Sequence, residues 1–182
     1  MTARPGTDRE ELVEHLERAR SKLGASFHGL SDGQMMRTGA VGEWSVKGVL
    51  AHVASWEELA LPDLARLARG DQAVLASIDL YATDYDPFNA MIMSLRRNLP
   101  LSQVLRELDI LHADFLAAVA RLPDSALIEG QFARLLVKIT AEHDEEHAGH
   151  ILEWRKTEGN ESATGSRQGR REPPAKSAGA AT

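Results

Sequence analysis

The chain has 182 residues and a formal net charge of −6, so it is acidic and long enough for one domain with a hydrophobic core. This charge is unfavourable for general binding to nucleic acid or to an anionic membrane, and we expect neither as a partner. Cysteine is absent, which excludes disulfides, thiolate-bound metals and a cysteine nucleophile.

Two amphipathic helices are predicted in the N-terminal part of the chain. The first spans about residues 8–30, and residues 31–43, rich in glycine and polar side chains, predict a loop. Ser45 is the predicted N-cap of the second helix, which ends at Gly70. His52 lies at the helical spacing of the apolar residues around it and is therefore expected to face inward.

Three further helices are predicted after a long acidic connection at residues 70–86. Asp86, followed by proline, predicts the N-cap of a short helix that ends near residue 98. Ser102 is the predicted N-cap of a long helix to about residue 122. The last helix contains residues 132–154, whose apolar side chains recur at helical spacing.

These elements predict an all-α protein: a four-helix bundle in up-down-down-up order, with a long crossover between helices 2 and 3. We expect one domain at residues 1–157 and a disordered tail at 158–182, because the tail is rich in Gly, Ser, Ala, Pro and Arg and lacks large apolar residues. The sequence contains no run long and apolar enough to cross a bilayer, and no secretory leader is expected at its start. We therefore expect a cytoplasmic protein.

The last helix carries three histidines on its apolar face. On a helical wheel centred on Ile139, His143, His147 and His150 fall at about 40°, 80° and 20°. His143 and His147 are one turn apart, the spacing at which two imidazoles can share a metal ion. Histidines whose ring nitrogens are hydrogen-bonded inside the core are the alternative. Because an HxxxH pair alone is a weak motif, a metal site requires a third ligand, and His52 is the candidate.

Two segments together resemble the DinB-like (DinB/YfiT) superfamily: GEWSVKGVLAHVASWEE in helix 2 and AEHDEEHAGHI in helix 4. The segments RNLPLSQVLREL and LPDSAL are also similar to the ClbS/DfsB branch, which implies protection against a reactive small molecule. The resemblance covers roughly residues 8–157. It implies a metal bound by His52, His143 and His147, with His150 lining the pocket or supporting a ligand ring.

The resemblance also implies an activity, thiol S-transfer, with a low-molecular-weight thiol as co-substrate. Three imidazole ligands suit Zn, Ni, Fe or Co and leave a position for water or a thiolate, so hydrolysis is the alternative reaction. We predict no catalytic residue beyond the metal ligands. Glu142 and Glu146 are candidates to orient the ligand rings, and Tyr85, Asn89 and Arg96 are candidates to line the pocket mouth.

Three functions are compatible with these observations. The first is a metal-dependent enzyme, a thiol S-transferase or hydrolase that detoxifies a small electrophilic molecule. The second is a small-molecule-binding or resistance protein without turnover, and the third is a dimerisation module with residual histidines. In each case we expect a homodimer, and for the first two a small-molecule ligand.

Overall fold

The computed structural model describes residues 8–77 and 85–168, with side chains up to residue 157. The elements are helices α1 (Asp8–Phe27), α2 (Asp32–Met35), α3 (Val46–Ala68), α4 (Asp86–Arg96), α5 (Leu101–Ala120) and α6 (Phe132–Gln168), and strands β1 (Thr38–Val41) and β2 (Trp44–Ser45). The four long helices, α1, α3, α5 and α6, form the bundle, so the predicted all-α class is confirmed.

The bundle consists of two parallel helix pairs. Asp8, at the start of α1, pairs with Arg134 near the start of α6. Ser26, near the end of α1, accepts a hydrogen bond from Arg155, much further along α6. In the same way α3 runs parallel to α5, because Lys47 donates to the Leu99 carbonyl at 3.0 Å and Glu57 contacts His112 further along. The two pairs run in opposite directions. This arrangement confirms the up-down-down-up order and the crossover between α3 and α5.

The core divides into two clusters along the bundle, and their membership gives the direction of α3 relative to α6. Leu64, near the end of α3, packs in one cluster with Leu136 from the start of α6. Val49, near the start of α3, packs in the other with Ile151 from a later turn of α6. The two helices are therefore antiparallel. Glu57 of α3 and residues 142–147 of α6 lie between the two clusters in sequence, and they contribute to the site described below.

A small hairpin replaces part of the loop predicted at residues 31–43. Strands β1 and β2 pair antiparallel, with Thr38 opposite Ser45 and Val41 opposite Trp44. Gly42, at a φ of +51°, lies in the turn, a backbone conformation that glycine adopts without steric cost. The hairpin leads directly into α3 and brings Trp44 beside His52, with ring centroids 5.0 Å apart.

Two predicted N-caps are wrong, Asp86 by one residue and Ser102 by two. Helix α4 begins with Asp86 itself, after Tyr85, whose side chain makes no capping hydrogen bond. Helix α5 begins at Leu101 after Pro100, so Ser102 is its second residue and not its N-cap. Ser45, in contrast, is the N-cap of α3 as predicted, and its Oγ accepts a hydrogen bond from the Gly48 amide at 3.2 Å.

The last helix is longer than predicted. Helix α6 continues past the predicted boundary at 157 to Gln168, and residues 169–182 of the predicted tail lie outside the described residues. Within residues 8–77 and 85–168, no helix combines the length and apolarity needed to span a membrane.

Candidate metal site and cavity

The three histidines predicted to form a site meet between α3 and α6. Nε2 of His143 lies 2.9 Å from Nε2 of His52 and 3.0 Å from Nε2 of His147. One ring nitrogen from each histidine falls within 4.8 Å of the others. The convergence follows from local structure, because the Ser45 cap fixes the start of α3 about two turns before His52, and the i,i+4 spacing aligns the other two rings on α6.

All three rings are held in the neutral form. Burial lowers the pKa of His52, of His143 and of His147 from 6.5 to about 3. The smaller cause is repulsion between charged neighbours: His147 acts on His52, His52 and then Arg20 act on His143, and His143 and then His150 act on His147. Neutral imidazole is the form that binds metals, so at neutral pH protons do not compete for these nitrogens.

The contacts among the rings are poorly matched as hydrogen bonds. A neutral imidazole nitrogen either donates one N–H or offers one lone pair, yet Nε2 of His143 faces two other Nε2 atoms. A metal ion removes this mismatch, because all three Nε2 atoms can direct lone pairs at it while each Nδ1 carries the proton. The donor set therefore fits a divalent transition metal, and three protein ligands leave a position open for water or substrate.

A cavity of about 550 Å³ adjoins the three rings. Trp44, Trp56 and Tyr85 contribute its aromatic surface, and the Trp56 and Tyr85 rings meet edge to face with centroids 5.0 Å apart. Asn89 of α4 accepts a hydrogen bond from the Trp56 indole at 3.3 Å. Five carboxylate residues also line the cavity: Glu57, Asp86, Glu142, Asp144 and Glu146.

Of the six residues predicted to surround the metal ligands, five line this cavity and one does not. Tyr85, Asn89, Glu142, Glu146 and His150 are among the lining residues, and the His150 ring centroid lies 5.5 Å from that of His147. Arg96 lies elsewhere, because its guanidinium bridges Glu58 of α3 and Glu107 of α5.

The predicted orienting role of the two glutamates has no matching contact among the described residues. Glu142 lies 3.5 Å from Lys138, and Glu146 is exposed. Neither forms a hydrogen bond to a ligand ring within the part of the chain that the structure describes, so the orienting role stays a prediction.

A buried ionic network next to the histidines was missed in the sequence. Arg20 lies 2.8 Å from Glu57 Oε1 and 2.8 Å from Asp144 Oδ2, and it thereby joins α1 to α3 and α6. His112 of α5 approaches the same Glu57 oxygen at 2.8 Å. Burial raises the pKa of Asp144 from 3.8 to about 6, although the Arg20 charge opposes this shift. Four helices therefore meet at one set of charges directly beside His143.

A sequence signal for this network exists in the spacing of the apolar residues. Arg20 lies four residues after Leu16 and three before Leu23, within the buried face of α1. Asp144 lies three residues after Ala141 and four before Ala148, both buried. A charged residue at such a position is within the stripe that faces the core and needs a partner there.

No protein of curated function matches this sequence. The structure is similar to DfsB, described as "Sibling Lethal Factor Precursor", with a TM-score of 0.70 and 15% identity over 85% of this chain and 98% of that chain. It is equally similar to the colibactin self-resistance protein ClbS, with the same TM-score, identity and coverage. An uncharacterised protein from Escherichia coli UTI89 has a TM-score of 0.66 and 15% identity, over 85% of this chain and 96% of that one. The resemblance to the ClbS/DfsB branch is thus confirmed for the fold.

The comparison with ClbS contradicts one expectation from the sequence. That protein was solved in complex with a dsDNA, so our exclusion of nucleic acid as a partner was wrong. Net charge describes the whole molecule, whereas DNA is contacted by one local surface, and a negative total does not exclude such a contact.

Family membership follows from a match over most of the chain. The model of the DinB superfamily matches residues 15–151, a range that contains His52, His143 and His147. The match agrees with the helical bundle and with the likeness of fold to ClbS and DfsB. The chain therefore belongs to the DinB superfamily.

Proposed function

We propose that this protein binds a divalent transition metal through His52, His143 and His147 and acts on a small electrophilic molecule held in the adjoining cavity. The observation that carries the proposal is the convergence of three neutral imidazoles, two buried and one partly buried, from two helices at the edge of a cavity of about 550 Å³. An open cavity beside an incomplete ligand set is typical of catalytic rather than structural metal sites.

The division of roles follows from the residues. A bound metal supplies a Lewis acid that lowers the pKa of a coordinated water or thiol. The histidines keep three lone pairs aligned, and burial keeps those rings unprotonated. Trp44, Trp56 and Tyr85 offer apolar surface to the body of the electrophile. We propose thiol S-transfer as the reaction, with a low-molecular-weight thiol as co-substrate, and hydrolysis as the alternative.

The first experiment measures metal per chain by elemental analysis, on protein purified without an affinity tag. We expect close to one equivalent of Zn, Ni, Fe or Co in the wild type and its loss in His143→Ala. His28→Ala is the matched control, because that side chain is exposed just after the end of α1 and should leave the content unchanged. A wild type that takes up no metal even when Zn or Ni is added contradicts the proposal.

A second candidate function is resistance by sequestration, which the likeness to a protein described as a colibactin self-resistance protein favours. The two candidates differ in stoichiometry. In the presence of excess thiol, an S-transferase converts many equivalents of an electrophile such as chlorodinitrobenzene per chain. A hydrolase converts a suitable electrophile without any thiol. A sequestering protein binds one equivalent and stops. Because ClbS was solved with dsDNA, the same assays should be repeated with duplex DNA present.

A further inference from the structure

Three buried side-chain polar atoms have no hydrogen-bond partner among the described residues: His52 Nδ1, Glu57 Oε2 and Tyr85 Oη. All three residues line the cavity beside the metal site. Buried polar atoms are nearly always paired, and each unpaired one calls for an explanation. Their shared location indicates a cavity built to form hydrogen bonds with a ligand.

Glu57 defines the polar character of that ligand. Its side chain is only 1% exposed, and Oε1 receives both internal donors, Arg20 at 2.8 Å and His112 at 2.8 Å. Oε2 receives none among the described residues. A carboxylate oxygen is a hydrogen-bond acceptor only, so the group that completes this site must be a donor.

The buried carboxylates around Glu57 outnumber the arginine that pairs with them. Arg20 is one guanidinium placed between two buried carboxylates, because it contacts both Glu57 and Asp144. His112 adds a positive charge only when it is protonated. Five carboxylate residues line the cavity, and none of the described lining residues is Lys or Arg. In the metal-free chain a cationic ligand is therefore favoured over an anionic one, since it supplies the missing positive charge.

The walls of the cavity suit the apolar part of the same ligand. The Trp56 ring stands between Tyr85 and Phe88, with centroid distances of 5.0 and 5.3 Å. Trp44 covers another side, beside His52. Aromatic faces bind hydrocarbon and also attract a cation placed over them.

We propose that the electrophile bound in the cavity also carries an apolar body and a protonated primary or secondary amine, by which the cavity recognises it. The amine N–H donates to Glu57 Oε2, and the body packs against Trp56 and Tyr85. This inference deepens the proposed function, because it takes this cavity as the substrate site. It does not require a bound metal.

The test uses the full chain after treatment with a chelator and compares three probes with one apolar body. Phenethylamine, phenethyl alcohol and hydrocinnamate carry, respectively, a cationic donor, a neutral donor and an anion. Binding is followed by calorimetry at neutral pH. We expect phenethylamine to bind about tenfold more tightly than the alcohol, as a charge-assisted hydrogen bond allows, and hydrocinnamate to bind more weakly than either.

Glu57→Gln assigns the preference to this residue, because the amide presents an N–H where the carboxylate oxygen accepted one. We expect the advantage of the amine over the alcohol to disappear. Glu153→Gln is the control, since it removes an exposed carboxylate of α6 that pairs with Lys156 and should leave the advantage intact. If Glu57→Gln fails to fold, the wild-type series still decides the proposal.

The proposal is overturned if hydrocinnamate binds as tightly as phenethylamine, if none of the three probes binds, or if a folded Glu57→Gln keeps the amine preference. Failure of the metal site is recognised separately. It shows as missing metal in the elemental analysis, whereas the probe series is measured on metal-free protein. Metal uptake without an amine preference refutes only the ligand class.

Discussion

Arg20 connects the candidate site to the rest of the bundle through charge. Its guanidinium touches Glu57 on α3 and Asp144 on α6, and Asp144 directly follows His143 in the turn of α6 that leads to His147. The side-chain exposures are 14% for Arg20 and 1% for each carboxylate, so water screens these charges weakly. The network thus fixes the relative position of the two helices that supply the histidines.

We expect Arg20→Met to destabilise the protein by about 3–5 kcal/mol, because it leaves two carboxylates buried without their cation. Chemical denaturation of the metal-free chain measures the loss. Arg18→Met is the matched control on the same helix. Arg18 forms an exposed i,i+4 pair with Glu14, so its removal should cost less than about 0.5 kcal/mol. Equal effects of the two substitutions contradict a structural role of the network.

The inward-facing histidines could be predicted from the helical spacing of apolar residues around them. The pairing of Arg20 with Glu57 and Asp144 could not be predicted from such local spacing. His143, His147 and His52 lie among apolar residues at helical spacing, so facing inward was the simple interpretation. Asp144 belongs to an acidic run whose other members lie near or at the surface, and only its spacing to buried alanines distinguishes it. Its partner, Arg20, is distant in sequence, and no local pattern joins the two.

At the scale of elements, the start of α3 positions the first ligand. Ser45 is the last residue of β2 and the N-cap of α3. It therefore fixes where the helix begins and, further along the helix, where His52 lies. The hairpin itself was not predicted, since strands of 4 and 2 residues are too short to show an alternating pattern. The sequence around Ser102 suggested that this serine is the N-cap of α5. In the structure Pro100 is the N-cap residue, so Ser102 already lies within the first turn.

Ser45→Ala should destabilise the protein by about 1 kcal/mol, because the Gly48 amide loses its acceptor. Ser102→Ala is the control, and we expect a change within about 0.5 kcal/mol, because Ser102 is already inside α5 and caps nothing. Both values come from denaturation under the same conditions. A larger loss for Ser102→Ala would falsify the assignment of Pro100 as the residue that precedes α5.

At the scale of the whole molecule, the candidate metal site joins the two parallel helix pairs. His52 comes from the α3–α5 pair, and His143 and His147 come from the α1–α6 pair. A ligand bound there therefore opposes separation of the two halves of the bundle. The single chain does not test the predicted homodimer, which stays a prediction.

Metal binding should raise the melting temperature of the protein. At a free metal concentration of about 100 times Kd, linkage adds about 2.7 kcal/mol of stability. For a chain of this size the expected rise is on the order of 5–10 °C, and a chelator should reverse it. Scanning calorimetry of wild type and His143→Ala, with and without metal, measures the effect. The same rise in the variant would show that metal binds elsewhere.

The pairing of α1 with α6 has a consequence for synthesis of the protein on the ribosome. Arg20 and Asp144, which join these helices, are 124 residues apart, and the contact between Arg155 and Ser26 spans 129. Part of the apolar face of α1 therefore stays uncovered until nearly the whole domain has been translated. Such delayed closure slows folding and exposes the nascent chain to aggregation. Metal uptake, which needs histidines from α3 and α6 together, can follow only after this last step.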